Sequence, residues 1–179
     1  MRQEDLQERE IRERARGVRM IVFDVDGVLT DGSLFYGDDG QEYKAFNSRD
    51  GHGIKMLLGH GVEVAILSAR SSDIVGARAR ELGIARVLQG RGDKAAAWSE
   101  LLRDAGVDAE QAGFIGDDLP DLPVLARAGF AATVADARDE VKAAAHWIAG
   151  QAGGRGAVRA LAEFVLRAKG VDFAGMTRG

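Results

Sequence analysis

Residues 18–32 read Val18-Arg-Met-Ile-Val-Phe-Asp-Val-Asp-Gly-Val-Leu-Thr-Asp-Gly32, and this stretch decides the fold. Met20 to Phe23 is an unbroken apolar run that ends abruptly in acid. That is the pattern of a strand buried on both faces of a parallel sheet, delivering side chains at the sheet's carboxyl edge. Asp24 and Asp26 stand at that edge, and Gly27 lets the backbone turn sharply away. Open α/β sheets bind ligands just beyond such strand ends. Two carboxylates two residues apart repel each other there, so their pairing implies a cation sharing the site.

Working outward, residues 62–67 read as a second buried strand, 86–89 as a short third, 113–116 as a fourth, 130–134 as a fifth and 146–148 as an edge strand. Helical periodicity fills the gaps: from Asp50 through Ile54 and Leu57, from Ser71 or Ser72 to Leu82, from Asp93 through Trp98 and Leu101, and over 137–144. A last amphipathic helix, 157–168, puts Val158, Leu161, Phe164 and Val165 on one side. Strands alternating with helices predict an α/β protein with a Rossmann-like, three-layer, doubly wound parallel sheet. One interruption stands out at 33–46, where two short aromatic runs flank Gly37-Asp-Asp-Gly40. This predicts a β-hairpin projecting near the catalytic edge, with no large cap domain. Residues 1–17, dominated by Arg, Glu and Gln, could form a short solvated helix but have too few apolar positions to be core and read as a frayed leader, 18–169 as the single domain and 170–179 as a tail. Gly150 to Gly156 reads as a flexible loop.

The 179 residues are enough to bury one full core, and the net charge of −4 gives no reason to expect a nucleic-acid or membrane surface. Cysteine is absent, which excludes disulfides and thiolate metal sites. His52, His60 and His146 are scattered, so a histidine metal site is not expected either. The charged N-terminus has no apolar signal-peptide core, and a cytoplasmic protein is the expectation. Arg91-Gly92-Asp93 spells an adhesion tripeptide, which such a chain does not use.

Four strand ends carry polar groups: Asp24 with Asp26, Ser68 with Arg70, Lys94 just past the third strand, and Asp117 with Asp118 and Asp121. In a parallel sheet these ends converge. A nucleophile, an acid or base, a hydroxyl, a cation and further carboxylates form a set suited to phosphoryl transfer.

With these motifs in view, the chain resembles the haloacid dehalogenase superfamily, whose four motifs match Asp24-Val-Asp26-Gly27, Ser68, Lys94 and Gly116-Asp117-Asp118-Leu-Pro-Asp121. Within it, the chain is similar to the small tetrameric 3-deoxy-D-manno-octulosonate 8-phosphate (KDO 8-phosphate) phosphatases. The nearer likeness rests on Asp24 to Gly32, Phe46-Asn-Ser-Arg-Asp-Gly-His-Gly53, Gln89-Gly90, Ile115-Gly-Asp-Asp-Leu-Pro-Asp-Leu-Pro123 and Gly153-Gly-Arg-Gly-Ala-Val-Arg159. The resemblance implies Asp24 as nucleophile, Asp26 as general acid and base, and Ser68 and Lys94 as phosphate-stabilising groups. It implies Mg²⁺ held by Asp24, the backbone carbonyl of Asp26, and Asp117, while Asp118 and Asp121 either orient these ligands or touch the metal themselves. It further implies a homotetramer in which hairpins join and neighbouring subunits complete each site, with Arg155 or Arg159 reaching across.

Asp31, Arg49, Asp50 and Arg70 are the remaining substrate-contact candidates, and Asp31 and Asp50 read equally well as helix or turn caps. Relatives acting on the eight-carbon acid carry Arg where Arg70 stands, and relatives acting on nine-carbon acids carry Glu. A guanidinium there would pair with the sugar's carboxylate. Ser68 and Ala69 depart from the family's usual Thr and Gly. The expectation is therefore hydrolysis of KDO 8-phosphate. A phosphatase for KDN 9-phosphate, or a catalytically silent oligomerisation module, are the competing readings.

Overall fold

The computed structural model describes residues 3–173, so part of the expected tail, 174–179, lies outside the described residues. In chain order the elements are α1 (Gln3–Gly17), β1 (Met20–Phe23), β2 (Phe35–Tyr36), β3 (Glu42–Tyr43), α2 (Ser48–Gly59), β4 (Glu63–Leu67), α3 (Asp73–Leu82), β5 (Arg86–Leu88), α4 (Lys94–Ala105), β6 (Ala112–Ile115), α5 (Leu122–Leu125), β7 (Phe130–Thr133), α6 (Asp139–Ala144), β8 (Trp147–Ile148) and α7 (Ala157–Ala168). Six strands form one parallel sheet in the order β5-β4-β1-β6-β7-β8. Reversal of strand order on either side of β1 is what opens a crevice at its carboxyl end.

The central strand is buried along its whole length, as its apolar run requires. Met20 to Phe23 pair with Glu63 to Ile66 on one side and with Ala112 to Ile115 on the other. Both helix layers seal this sheet. Trp98 of α4 meets Phe114 of β6 edge to face at 6.0 Å, and Phe164 of α7 stacks on Phe130 at 6.1 Å and on Trp147 at 5.4 Å.

The leader differs from the expectation of a frayed segment. It is a helix whose exposed face carries i,i+4 pairs, Arg12 to Glu8 at 2.6 Å and Arg14 to Glu10 at 2.9 Å. Its end is docked: Ala15 is fully buried, Arg14 donates to the carbonyl of Gly129 (3.1 Å), and Lys169 donates to the carbonyl of Arg16 (2.9 Å). So few apolar residues suffice because small Ala15 permits close approach and polar groups hold the rest.

The hairpin forms as expected, with Phe35 opposite Tyr43 and Tyr36 opposite Glu42. Leu34, Phe35, Tyr36 and Tyr43 are exposed on it.

Candidate active site

The turn after β1 is wound tightly. The amides of Val28, Leu29 and Thr30 all donate to the carbonyl of Val25, at 3.2, 2.9 and 3.1 Å. Gly27 adopts φ +87°, and a Cβ there would lie 2.0 Å from Oδ2 of Asp117. Glycine is needed both for the left-handed backbone and to let the Asp117 carboxyl approach. Asp117 follows β6, and Asp121 fixes the loop behind it by accepting the amides of Asp117 (2.9 Å) and Asp118 (3.2 Å) on Oδ2. Its Oδ1 accepts Nζ of Lys94 at 2.6 Å, and the same ammonium lies 3.0 Å from Oδ1 of Asp24. Lys94 opens α4, whose N-cap Asp93 accepts the amide of Ala96 (2.9 Å), so helix geometry aims the lysine inward. Ser68 directly follows β4, buried, with its Oγ accepting the amide of Arg70 (3.2 Å), which leaves the hydroxyl proton to donate into the cleft. Ala69 fits this loop without strain, since no non-glycine residue among those described has a positive φ.

A cleft of about 290 Å³ is lined by these groups, including Asp24, Asp26, Ser68, Arg70, Lys94 and Asp117. Its electrostatics are unbalanced toward acid. Burial, reinforced by the charge of Asp121 and opposed by Lys94, pushes the Asp24 carboxyl up from 3.8 to about 7. Burial, with the charges of Asp24, Asp121 and Asp118, likewise pushes Asp117 up to about 7. Burial would depress Lys94, but Asp24 and Asp121 outweigh it and hold the lysine protonated. Carboxylate oxygens of Asp24, Asp117 and Asp121 lie within 4.8 Å of one another. Both oxygens of Asp121 already hold Lys94 and two amides, so Asp24 and Asp117 are the pair left for an ion. Two close hard-oxygen donors that resist ionising together fit a divalent cation such as Mg²⁺.

Residues 78–161 match the family of haloacid dehalogenase-like hydrolases. A KDO 8-phosphate phosphatase of Yersinia pestis, KdsC, is 43% identical over 157 residues, covering 88% of this chain and 84% of that protein. The chain belongs to the KDO 8-phosphate phosphatase family. Two crystal structures are also similar. One, from Moraxella catarrhalis, is a KDO 8-phosphate phosphatase in complex with magnesium, phosphate and KDO; it has TM-score 0.91 and 38% identity and covers 94% of this chain and 97% of that one. The other, from Haemophilus influenzae, is the cobalt-bound form of such a phosphatase; it has TM-score 0.88 and 40% identity and covers 93% and 99%.

Measured against what the KDO 8-phosphate phosphatase likeness implied, the structure brings Asp24, Asp26, Ser68, Arg70, Lys94, Asp117, Asp118 and Asp121 to one cleft. Four other candidates stand elsewhere. Asp50 is 2% exposed and accepts the amides of Gly156 (3.2 Å) and Arg159 (2.8 Å), so of its two readings it takes that of a cap, closing α7 from the first turn of α2. Arg155 pairs with Asp31 of its own chain at 2.9 Å. Arg49 lines a separate groove with Gln151, Arg155 and Arg159. The loop 150–156, expected to be flexible, is instead a brace: Gly154 donates to the carbonyl of Val28 (2.9 Å), Gly153 donates to Asp136 (2.9 Å), and a Cβ on Gly153 would sit 1.8 Å from the carbonyl oxygen of Gly27.

Three hairpin residues reach the cleft rim without having been expected there. Lys44 donates to Oδ1 of Asp26 at 2.6 Å, and Nη2 of Arg70 donates to the Tyr36 hydroxyl (2.8 Å) and to Glu42 (3.1 Å). Strand alternation carries the signal: Glu42 and Lys44 share one face while Tyr43 between them points to solvent.

Proposed function

We propose that this protein is a Mg²⁺-dependent phosphatase that hydrolyses KDO 8-phosphate to KDO and inorganic phosphate. The observation that carries the reading is one cleft holding two aspartates on a single tight turn, a buried lysine against the first of them, a serine hydroxyl, and an arginine at the rim.

Asp24, Asp117 and the backbone carbonyl of Asp26 would hold Mg²⁺, which when bound offsets the repulsion between an anionic nucleophile and an anionic phosphate. The Asp24 carboxylate attacks phosphorus as the bond to the sugar oxygen breaks, giving an aspartyl phosphate. Asp26 donates a proton to the departing oxygen, then takes one from the water that attacks the acyl phosphate, releasing inorganic phosphate and restoring Asp24. Ser68 donates to a phosphoryl oxygen, and Lys94 holds charge beside Asp24. Arg70 pairs with the sugar's carboxylate. A multiply charged sugar phosphate stays in the compartment that makes it, and the reading places the enzyme in the cytoplasm.

Phosphate release is the test, measured with Mg²⁺ and with EDTA on KDO 8-phosphate, KDN 9-phosphate, hexose phosphates and p-nitrophenyl phosphate. The eight-carbon acid is expected to be preferred, and activity to vanish with EDTA. Arg70→Ala should raise KM for KDO 8-phosphate by about 10- to 100-fold, the value of a charge-assisted bond. Preference for another sugar would overturn the substrate assignment.

Metal binding has a signature in stability as well. Asp24 and Asp117 bind protons more tightly in the folded chain than in the unfolded one, so what they contribute is full below about pH 4 and is lost as pH rises through about 7. Mg²⁺ displaces those protons. The rise in melting temperature on adding Mg²⁺ should therefore grow between pH 5 and pH 8, checked by thermal shift at fixed Mg²⁺. An increment independent of pH would contradict this electrostatic account.

Exposed Leu34, Phe35, Tyr36 and Tyr43 on a two-stranded hairpin support an assembly, because a lone hairpin so apolar is marginal in water. The reading is a homotetramer joined through hairpins, with neighbours covering each cleft. Sedimentation should show a tetramer at micromolar concentration; a fully active monomer would sink the idea.

A further inference from the structure

Asp26 does not stand alone at the end of its strand, because the projecting hairpin reaches back to it. Lys44, the residue after β3, has a side chain only 1% exposed and donates to Oδ1 of Asp26 at 2.6 Å. A second contact, 3.4 Å, ties the same ammonium to Glu42. The other oxygen of Asp26, Oδ2, lies 3.7 Å from Nε of Arg70, and Arg70 is also held by Glu42 and Tyr36. Two cations and two carboxylates thus form one chain of contacts across the cleft rim.

The two cations are not equivalent. Arg70 is exposed, and if it left its rim partners for an incoming carboxylate, an Asp26 held by Arg70 alone would be drawn along with it. Lys44 is buried and short of alternatives, so it keeps Oδ1 fixed while Oδ2 stays open to the reacting oxygen. A proton transfer needs heavy atoms within about 2.6–3.2 Å, which a carboxylate free to rotate does not maintain.

We propose that Lys44 is a positioning residue for Asp26, through which each chain's own hairpin completes the proton-transfer machinery of its own cleft. This rests on the assignment of Asp26 as general acid and base. It gives the hairpin a task within its own chain, separate from any contact between subunits.

Leaving-group dependence tests it. A general acid matters most when the departing oxygen is basic, so kcat/KM is compared for phenyl, 4-nitrophenyl and 2,4-dinitrophenyl phosphate, aryl esters of one linkage that differ strongly in the basicity of that oxygen. Lys44→Met is expected to lower kcat/KM about 10- to 100-fold on phenyl phosphate and less than about threefold on the dinitrophenyl ester. The ratio of two esters on one preparation cancels any unfolded fraction, and Lys44→Gln reads the same ratio with a smaller disturbance. Lys44→Arg, which keeps a cationic donor, should recover the wild-type dependence. Equal losses on every ester would overturn the inference, since a structural or phosphate-binding role weakens all alike; so would no loss. A wild-type protein inert toward these esters and toward KDO 8-phosphate would overturn the assignment of Asp24 and Asp26, and the inference with it.

Discussion

Asp24→Asn is expected to lower phosphate release by roughly 10⁴-fold or more, since a neutral carboxamide cannot displace the sugar oxygen from phosphorus. The same substitution should make the metal-free protein more stable at pH 8. Asp24 is buried beside Asp121, in a place that favours its protonated form up to about pH 7. Above that pH the wild type holds an anion there against burial and repulsion, and asparagine does not. Lys94 keeps Asp121 as its partner at 2.6 Å, so the change strands no buried cation. The melting temperature should rise by about 2–4 °C for each kcal/mol relieved, and the gain should shrink toward pH 5. Phosphate assays and metal-free melting curves at both pH values check the two halves. An active variant would remove Asp24 from the nucleophile's place, and a variant less stable at pH 8 would contradict the electrostatics.

Asp121→Ala should act in the opposite sense and destabilise the protein strongly even without metal. One buried carboxylate accepts Lys94 on one oxygen and the amides of Asp117 and Asp118 on the other. Alanine leaves a buried ammonium with half its counter-charge and two amides without their acceptor. Breaking a buried ion pair by removing one partner costs about 3–5 kcal/mol, or roughly 10 °C here. The expected result is a lower urea midpoint with an unchanged slope, and a Mg²⁺ affinity reduced about 10- to 100-fold as the Asp117 loop loosens. A residue whose only task was to ligand the ion would show no loss in the metal-free protein. That outcome would move Asp121 from support to ligand.

What was legible in the sequence was whatever a local pattern fixes. The apolar run into Asp24 gave the central strand, strand–helix alternation gave the parallel sheet, and convergence of strand ends gathered Ser68, Lys94 and Asp117. The misreadings all involve contacts between residues far apart in the chain. Asp50 reads as a pocket residue or a cap beside Arg49, and local pattern does not show that the helix it caps begins more than a hundred positions later. Gly153 and Gly154 look like slack, but they are small because backbone passes against backbone. Lys44 is an ordinary hairpin lysine until the hairpin folds back over Asp26.

Contact between Gly153 and Gly27 bears on how the molecule is made. The turn carrying Asp24 and Asp26 leaves the ribosome well before the glycine-rich stretch that packs behind it and before α7. Until that stretch arrives, the carbonyl of Val28 lacks its partner from Gly154 and Asp50 has nothing to cap. A growing chain therefore holds its reactive carboxylates on an unsupported turn until residues more than a hundred positions later emerge and lock behind it.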